Sequence, residues 1–261
     1  MSKEDLTARV HTWIKKTGLP LELETAVALA NAGFDTHHSF VYEDPESKSG
    51  REIDVVGRTT DRIGLVEVHI ATECKSSDKP WVVLARRPYL PRATFLALGI
   101  SDPYTLESIP IQSLSQGRLG AHLKGMDSGG YALKQAFSEN VDAAYAATMS
   151  ALKAAAVLAQ PTGPTRRLAF AFPVLVVDAP IFECTTNPNG GIELEEVMFS
   201  EFMFTAMIPE RTRAIVRIVH REAVSGLATY LFELADILKQ ELKYKVDEFL
   251  EEVRQRNLDS N

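Results

Sequence analysis

The sequence predicts an α/β fold, and three observations predict it. Two neighbouring stretches alternate with period two: Arg51–Thr59, read as REIDVVGRT, and Val66–Lys75, read as VEVHIATECK. Leu168–Asp178, LAFAFPVLVVD, is a nearly continuous apolar run, the pattern of a strand buried on both faces. Elsewhere apolar residues recur three or four apart, as at Leu227, Leu231, Leu234 and Leu238, which is helical spacing.

In chain order, residues 4–16 read as a short amphipathic helix that Gly18 and Pro20 break. Pro20 suits the first turn of a second helix, Leu21–Ala32, which Gly33 closes. Phe34–Tyr42 reads as a strand, and DPESKSG, residues 44–50, as a turn-rich loop. The two alternating strands follow. If Asp54 faces Glu73, their hairpin tip falls at Ile63 and Gly64, where glycine accepts a positive φ. A tip at Asp61 and Arg62 would offset the two carboxylates. Residues 76–128, punctuated by Pro80, Pro88, Pro91, Pro103 and Pro110, read as an insertion with a short strand Trp81–Leu84 and a short helix near Gln112–Lys124. A long helix is expected over Tyr131–Leu158, stopped before Pro161. Ile181–Cys184 and Ile192–Phe199 flank the turn TNPNGG, Arg213–His220 alternates again, and one last helix is expected over Ala223–Arg256.

The 261 residues are enough to bury a sizeable core, as one large domain or two small ones. A hydrophobic content of 45% with 24% charged residues excludes a disordered chain. The Ala-rich stretch at 143–159 carries Lys153 and is too short and too weakly apolar to span a bilayer, so no membrane partner is expected. The N-terminal MSKEDLTARVHTWIKK lacks the apolar core of a signal peptide, which points to the cytoplasm. The net charge of −7 means that any nucleic-acid groove must be local. Its candidate pieces are Arg86, Arg87 and Arg92, then Arg166 and Arg167, then Arg211, Arg213, Arg217 and Arg221, each of which also reads as solvated surface. The two cysteines form no CxxC and the six histidines no HExxH, and His37 and His38 point to opposite sides of an extended chain.

Alternation carries the candidate site. Val66, Val68, Ile70 and Cys74 fall on one side of their strand, and Glu67, His69, Ala71, Glu73 and Lys75 on the other. Ile53 and Val55 share the apolar side of the preceding strand, so Asp54 is expected opposite them. Two carboxylates and an amine would then converge. The plainer alternative is a polar strand face in water. His69, four residues from Glu73, reads as a groove-edge or surface residue, and Cys74 as a small core residue.

The order helix, strand, strand, strand, helix, strand, together with Gly50-Arg51-Glu52-Ile53-Asp54 and Glu73-Cys74-Lys75, resembles the PD-(D/E)XK nucleases of the restriction endonuclease-like superfamily. The helix LELETAVALANAGF is similar to that family's first helix, with Glu22, Leu29, Gly33 and Phe34 in the matching positions. Ile53 stands where the name-giving proline would be. The resemblance covers about the first 180 residues. It implies a restriction endonuclease-like αβββαβ core with a mixed central sheet flanked by helices. Residues 181–261 would then form a C-terminal hairpin, strand and long-helix extension packed on the same domain. It also implies hydrolysis of phosphodiester bonds, most naturally in DNA, with Asp54, Glu73, Lys75 and Glu22 as catalytic residues. Mg²⁺, or Mn²⁺ in its place, would be held by Asp54, Glu73 and the backbone carbonyl of Cys74. Gln135 resembles a polar helix residue that some relatives add. The alternative is a catalytically silent module of this fold that binds nucleic acid or a protein. The apolar recurrence of the last helix suggests a homodimer formed through it.

Overall fold

A computed structural model of the chain describes residues 3–86, 98–115, 117–123, 129–138, 142–160, 167–208 and 210–259. The expectations at Arg87, Pro88, Pro91, Arg92, Lys124, Pro161 and Arg166 lie outside these residues. The protein is α/β, with a large mixed sheet flanked by helices. The helices α1 (Lys3–Ile14) and α2 (Leu19–Ala32) lead into the strands β1 (Asp35–Glu43), β2 (Gly50–Thr60), β3 (Val66–Lys75) and β4 (Trp81–Ala85). Three short helices follow, α3 (Pro103–Glu107), α4 (Ile111–Ser115) and α5 (Arg118–Leu123), then β5 (Gly130–Gln135), α6 (Ala143–Leu158) and β6 (Leu168–Val177). The chain ends with β7 (Ile181–Thr186), β8 (Ile192–Val197), β9 (Phe199–Ile208), β10 (Glu210–His220), α7 (Val224–Glu241) and α8 (Lys243–Asp259).

The ten strands of the described residues join one sheet in the order β1-β2-β3-β6-β10-β9-β5-β4-β7-β8. β1, β2 and β3 are antiparallel, whereas β6 lies parallel to β3 from Val66 against Leu168 to Lys75 against Val177. A parallel neighbour requires a crossover, and here the crossover includes α6. Helices α2 and α7 cover one face of this half, through a core that includes Leu29, Val68, Phe170, Leu231 and Leu234. Helix α6 covers the other face with small alanines, Ala154 and Ala155 lying against Val56 and Ala71. Every residue of β3 except Lys75 is therefore buried, which rules out the reading of a polar strand face in water.

Several boundaries differ from the sequence reading, each for a physical reason. The expected helix over Tyr131–Leu158 is β5 followed by α6: YALKQ pairs with β4, and Asp142 starts a new helix by accepting from the N–H of Tyr145 at 2.9 Å. The helix expected near Gln112–Lys124 is two short ones. The last helix is two, α7 and α8, separated at Leu242, a fully buried residue whose φ is −94° and ψ 6°. Strand β4, read as part of an insertion, pairs with β7 from the C-terminal region, so both regions share the same sheet. Other features follow the sequence. Gly33 closes α2 with φ 114°, and the β2–β3 pairing has the register that puts the tip at Ile63 and Gly64, with Gly64 at φ 71°. Among the described residues no helix is long and apolar enough to cross a membrane.

Two buried carboxylates fasten loops and strands to this frame. Asp44, 1% exposed, is clamped by Lys153 of α6 at 2.9 Å, and its carboxylate also accepts the N–H groups of Glu46 and Ser47. Burial alone would raise its pKa, but these donors hold it at about 2. Glu67 receives Arg58 at 2.8 Å and Arg167 at 2.7 Å, with His69 at 3.3 Å. Burial is again outweighed, by His69 and Arg58, and the pKa sits at about 2. Groups depressed in the folded state contribute stability above their unfolded values, 3.8 and 4.5, and lose it as pH falls through about 2. An acid titration of the melting temperature should therefore show a fall from about pH 4.5 down to about pH 2. In Asp44→Asn that fall should be shallower. An identical acid profile in the variant would show that Asp44 carries none of it.

Candidate active site

The site lies where β2 parts from β3, beside a one-residue gap in its pairing with β1. The β1–β2 pairing skips Ser39 and Asp54, and the β2–β3 pairing begins only at Val55 and Thr72. Ser39 takes a φ of 50°, a conformation that L side chains adopt infrequently. The alternation breaks there too. Ile53 packs into the α6-side cluster with Val56, whereas Val55 packs under α2 and α7. The expectation that Ile53 and Val55 share a face is thus corrected. Asp54 fills the gap between strands: its Oδ2 accepts the N–H of Cys74 at 2.7 Å, so a side chain takes over where the β2–β3 ladder has ended.

Lys75 donates from Nζ to Oε1 of Glu73 at 2.5 Å. The other oxygen of Glu73 accepts from Ser150 Oγ of α6 at 2.7 Å, so both carboxylate oxygens are held. Glu73 is buried and Lys75 is partly open to solvent. Glu22 projects from the first turns of α2 and is half-buried. Burial raises the pKa of Glu73, and the charge of Asp54 adds to it, against Lys75 and Ser150. Burial likewise raises Asp54, with Glu52 adding and the Cys74 N–H and Lys75 opposing. Glu22 is raised by burial, then by Asp54 and Glu52. Burial would lower Lys75, but Glu73 and Asp54 outweigh it and hold the ammonium protonated. Asp54, Glu73, Lys75 and Glu22 therefore share one electrostatic environment, with three carboxylates against one ammonium.

The thiol of Cys74 is in the core, 3.6 Å from Thr25 Oγ1, and burial pushes its pKa well up, so only its backbone faces the question of metal binding. Among the described residues no group of three or more His, Cys, Asp and Glu side chains is gathered closely enough to hold a metal ion. A donor set here would consist of Asp54, Glu73, the Cys74 carbonyl and solvent. Such hard oxygen donors, in carboxylate excess, suit Mg²⁺ or Mn²⁺.

Two candidates are corrected. His69 is buried at 5% exposure and bonded to Glu67 instead of lining a groove edge. Gln135 stands on a strand, and its amide donates to Ser77 Oγ at 3.1 Å, bracing the turn that follows Lys75. Of the arginines, Arg217 is fully buried and Arg221 is bound to Glu24 at 2.6 Å. Sequence reasoning missed Ser150. Its signal was a hydroxyl three residues before Lys153 in an otherwise Ala-rich helix, where both polar residues turn out to meet buried carboxylates. It also missed Tyr42, whose hydroxyl donates to the Ser150 carbonyl at 3.4 Å. Comparison with family models, with curated proteins and with solved structures finds no match to this chain.

Proposed function

We propose that the protein is a metal-dependent nuclease that hydrolyses phosphodiester bonds, with DNA as the first substrate to test. The observation that carries this reading is the meeting of Asp54, Glu73 and Lys75 at the point where β2 and β3 separate. Two further features support it. With β4, α3, α4, α5 and β5 set aside as an insertion between β3 and α6, the order α2, β1, β2, β3, α6, β6, with β6 parallel to β3, is the order expected of a restriction endonuclease-like core. Burial first, and neighbouring carboxylates second, raise the pKa of Asp54 and Glu73, the environment in which a functional carboxylate pair is expected.

In this reading Asp54, Glu73 and the Cys74 carbonyl would hold the divalent ion, with Glu22 beside them. When bound, such an ion would supply charge neutralisation at the phosphate. Lys75 orients the attacking water or stabilises the charge that builds on the phosphate, and Ser150 fixes the rotamer of Glu73. One observation favours the alternative of a silent binding module: the short Lys75–Glu73 pair closes the site on itself.

Cleavage assays on linear, supercoiled, single-stranded and branched DNA and on RNA, with Mg²⁺ and Mn²⁺, test the activity. Thermal melts in EDTA, Mg²⁺ and Ca²⁺ test the site separately. Metal should raise the wild-type melting temperature, because it binds the folded site alone. Asp54→Asn should shrink that shift. Asp54 has a folded pKa above its unfolded value, so its ionisation costs stability once the pH exceeds that folded value. Without metal, the variant should therefore melt higher than wild type at pH 7, and the difference should vanish in acid. Equal metal-induced shifts in the two proteins would remove the site. A metal-dependent shift without cleavage of any substrate would favour the silent module.

A further inference from the structure

Among the described residues, helices cover the second half of the sheet on one face only. Helix α6 packs against β4, β5 and β9 through a cluster that includes Trp81, Val83, Leu133 and Phe202. On the opposite face α7 reaches β10 at Ile215 and Val219, and among the described residues no helix packs beyond β10 as α2 and α7 do before it. Strand register identifies the side chains left on that open face. Ala214 and Phe204 pair on the α6 side, so Arg213 and Arg211, with Met203 of β9, point away from it. Ile181 and Val197 also lie on the α6 side, so Phe182 of β7 and Leu194 and Glu196 of β8 point away. Met203 is 41% exposed and Leu194 63%. Lys134 of β5 shares this face between Met203 and Phe182 and is paired with Asp142, so the exposed apolar side chains flank one neutralised charge; exposed apolar side chains grouped in this way mark an interaction surface.

We propose that this face is the interface of a two-fold homodimer, formed by sheet stacking, a reading independent of the nuclease assignment. Charge decides the occupant. Arg211 and Arg213 lie at one margin and Glu196 at the other, five strand spacings away, roughly 24 Å. All three are exposed, and none has an ion-pair partner among the described residues. Tracing the pairing across Phe202–Gly130, Lys134–Val82 and Val82–Phe182 puts Arg213 and Glu196 at nearly the same height along the strands. A two-fold axis parallel to the strands therefore lays β10 of one copy over β8 of the other. Arg213 then meets the partner copy's acidic margin at both ends, with Phe182, Leu194 and Met203 between. The other exposed apolar stripe, Leu250 and Val253 of α8, is flanked by Asp247, Glu248, Glu251 and Glu252, each already paired with a basic residue of the same helix, so no charge there selects a partner.

Sedimentation equilibrium of the full chain at micromolar concentration should give twice 28.8 kDa. Met203→Asp and Arg213→Glu should each weaken the dimer by roughly tenfold or more. Adding Glu196→Arg to Arg213→Glu should restore it, and Val253→Glu should leave it unchanged. Circular dichroism checks that each variant is folded, and Leu194→Lys replaces Met203→Asp if the latter is not. A wild-type monomer would overturn the proposal. So would a dimer that Val253→Glu dissociates and the sheet-face variants leave intact, or one that none of them affects.

Discussion

Lys75→Ala is expected to lower metal-dependent cleavage by about 10²- to 10⁴-fold, the range associated with a positioned proton-transfer or charge-stabilising group. Among the described residues Lys75 is the ammonium that offsets Glu73 and Asp54, and its Nζ sits 2.5 Å from Glu73. The fold should survive, because Ser150 still holds Glu73 and because a carboxyl already raised by burial can take up a proton. Lys75→Arg keeps the charge but spreads it over a planar fork, and should recover only part of the rate. The measurement is the single-turnover rate with saturating Mg²⁺, with circular dichroism as the control. Wild-type rates in Lys75→Ala would end the catalytic assignment.

Breaking the ion pair between Arg217 and Glu201 should have the largest effect on stability. The two face each other across β10 and β9, with Nε 2.9 Å from Oε1 and exposures of 0% and 2%. The guanidinium also lies over the ring of Phe172 at 5.3 Å. Burial pushes the Glu201 pKa up while Arg217 pulls it down. Either Arg217→Met or Glu201→Gln leaves the remaining polar group without its main partner, at a cost of about 3–5 kcal/mol when that group is charged. The double variant should regain much of this, because neither charge then remains buried. Urea unfolding of the four proteins gives the coupling directly. Additive single-variant losses in the double variant would show that the two residues act separately.

The legible part of this molecule is the part governed by local pattern. The alternation of Val66–Lys75, the register with β2, the Gly64 tip and the Gly33 cap all follow from period, sterics and turn chemistry. Glu73 and Lys75 stand out in the sequence because they share that short-range pattern, whereas Asp54 sits where the alternation of β2 breaks. What could not be read depends on partners distant in sequence. Glu67 and His69 look solvent-facing until β6 and Arg167 are placed beside them. YALKQ carries good helix formers, and only pairing with β4 makes it a strand. The break at Leu242 has no glycine or proline to announce it. Ser150 acquires its role only when α6 is laid across β3.

The parallel pairing of β3 with β6 has a consequence for the order of events during synthesis. Thr72, Glu73 and Cys74 lie against Val174, Leu175 and Val176, residues made much later by the ribosome. Before β6 emerges, β3 has no cover on that edge, and Glu73 lacks its Ser150 donor until α6 is made. Long-range pairing of this kind closes late and slowly. The nascent chain therefore carries Asp54, Glu73 and Lys75 for most of translation without assembling them. The proposed site can therefore be completed only after the polypeptide has cleared the ribosome well past Val177.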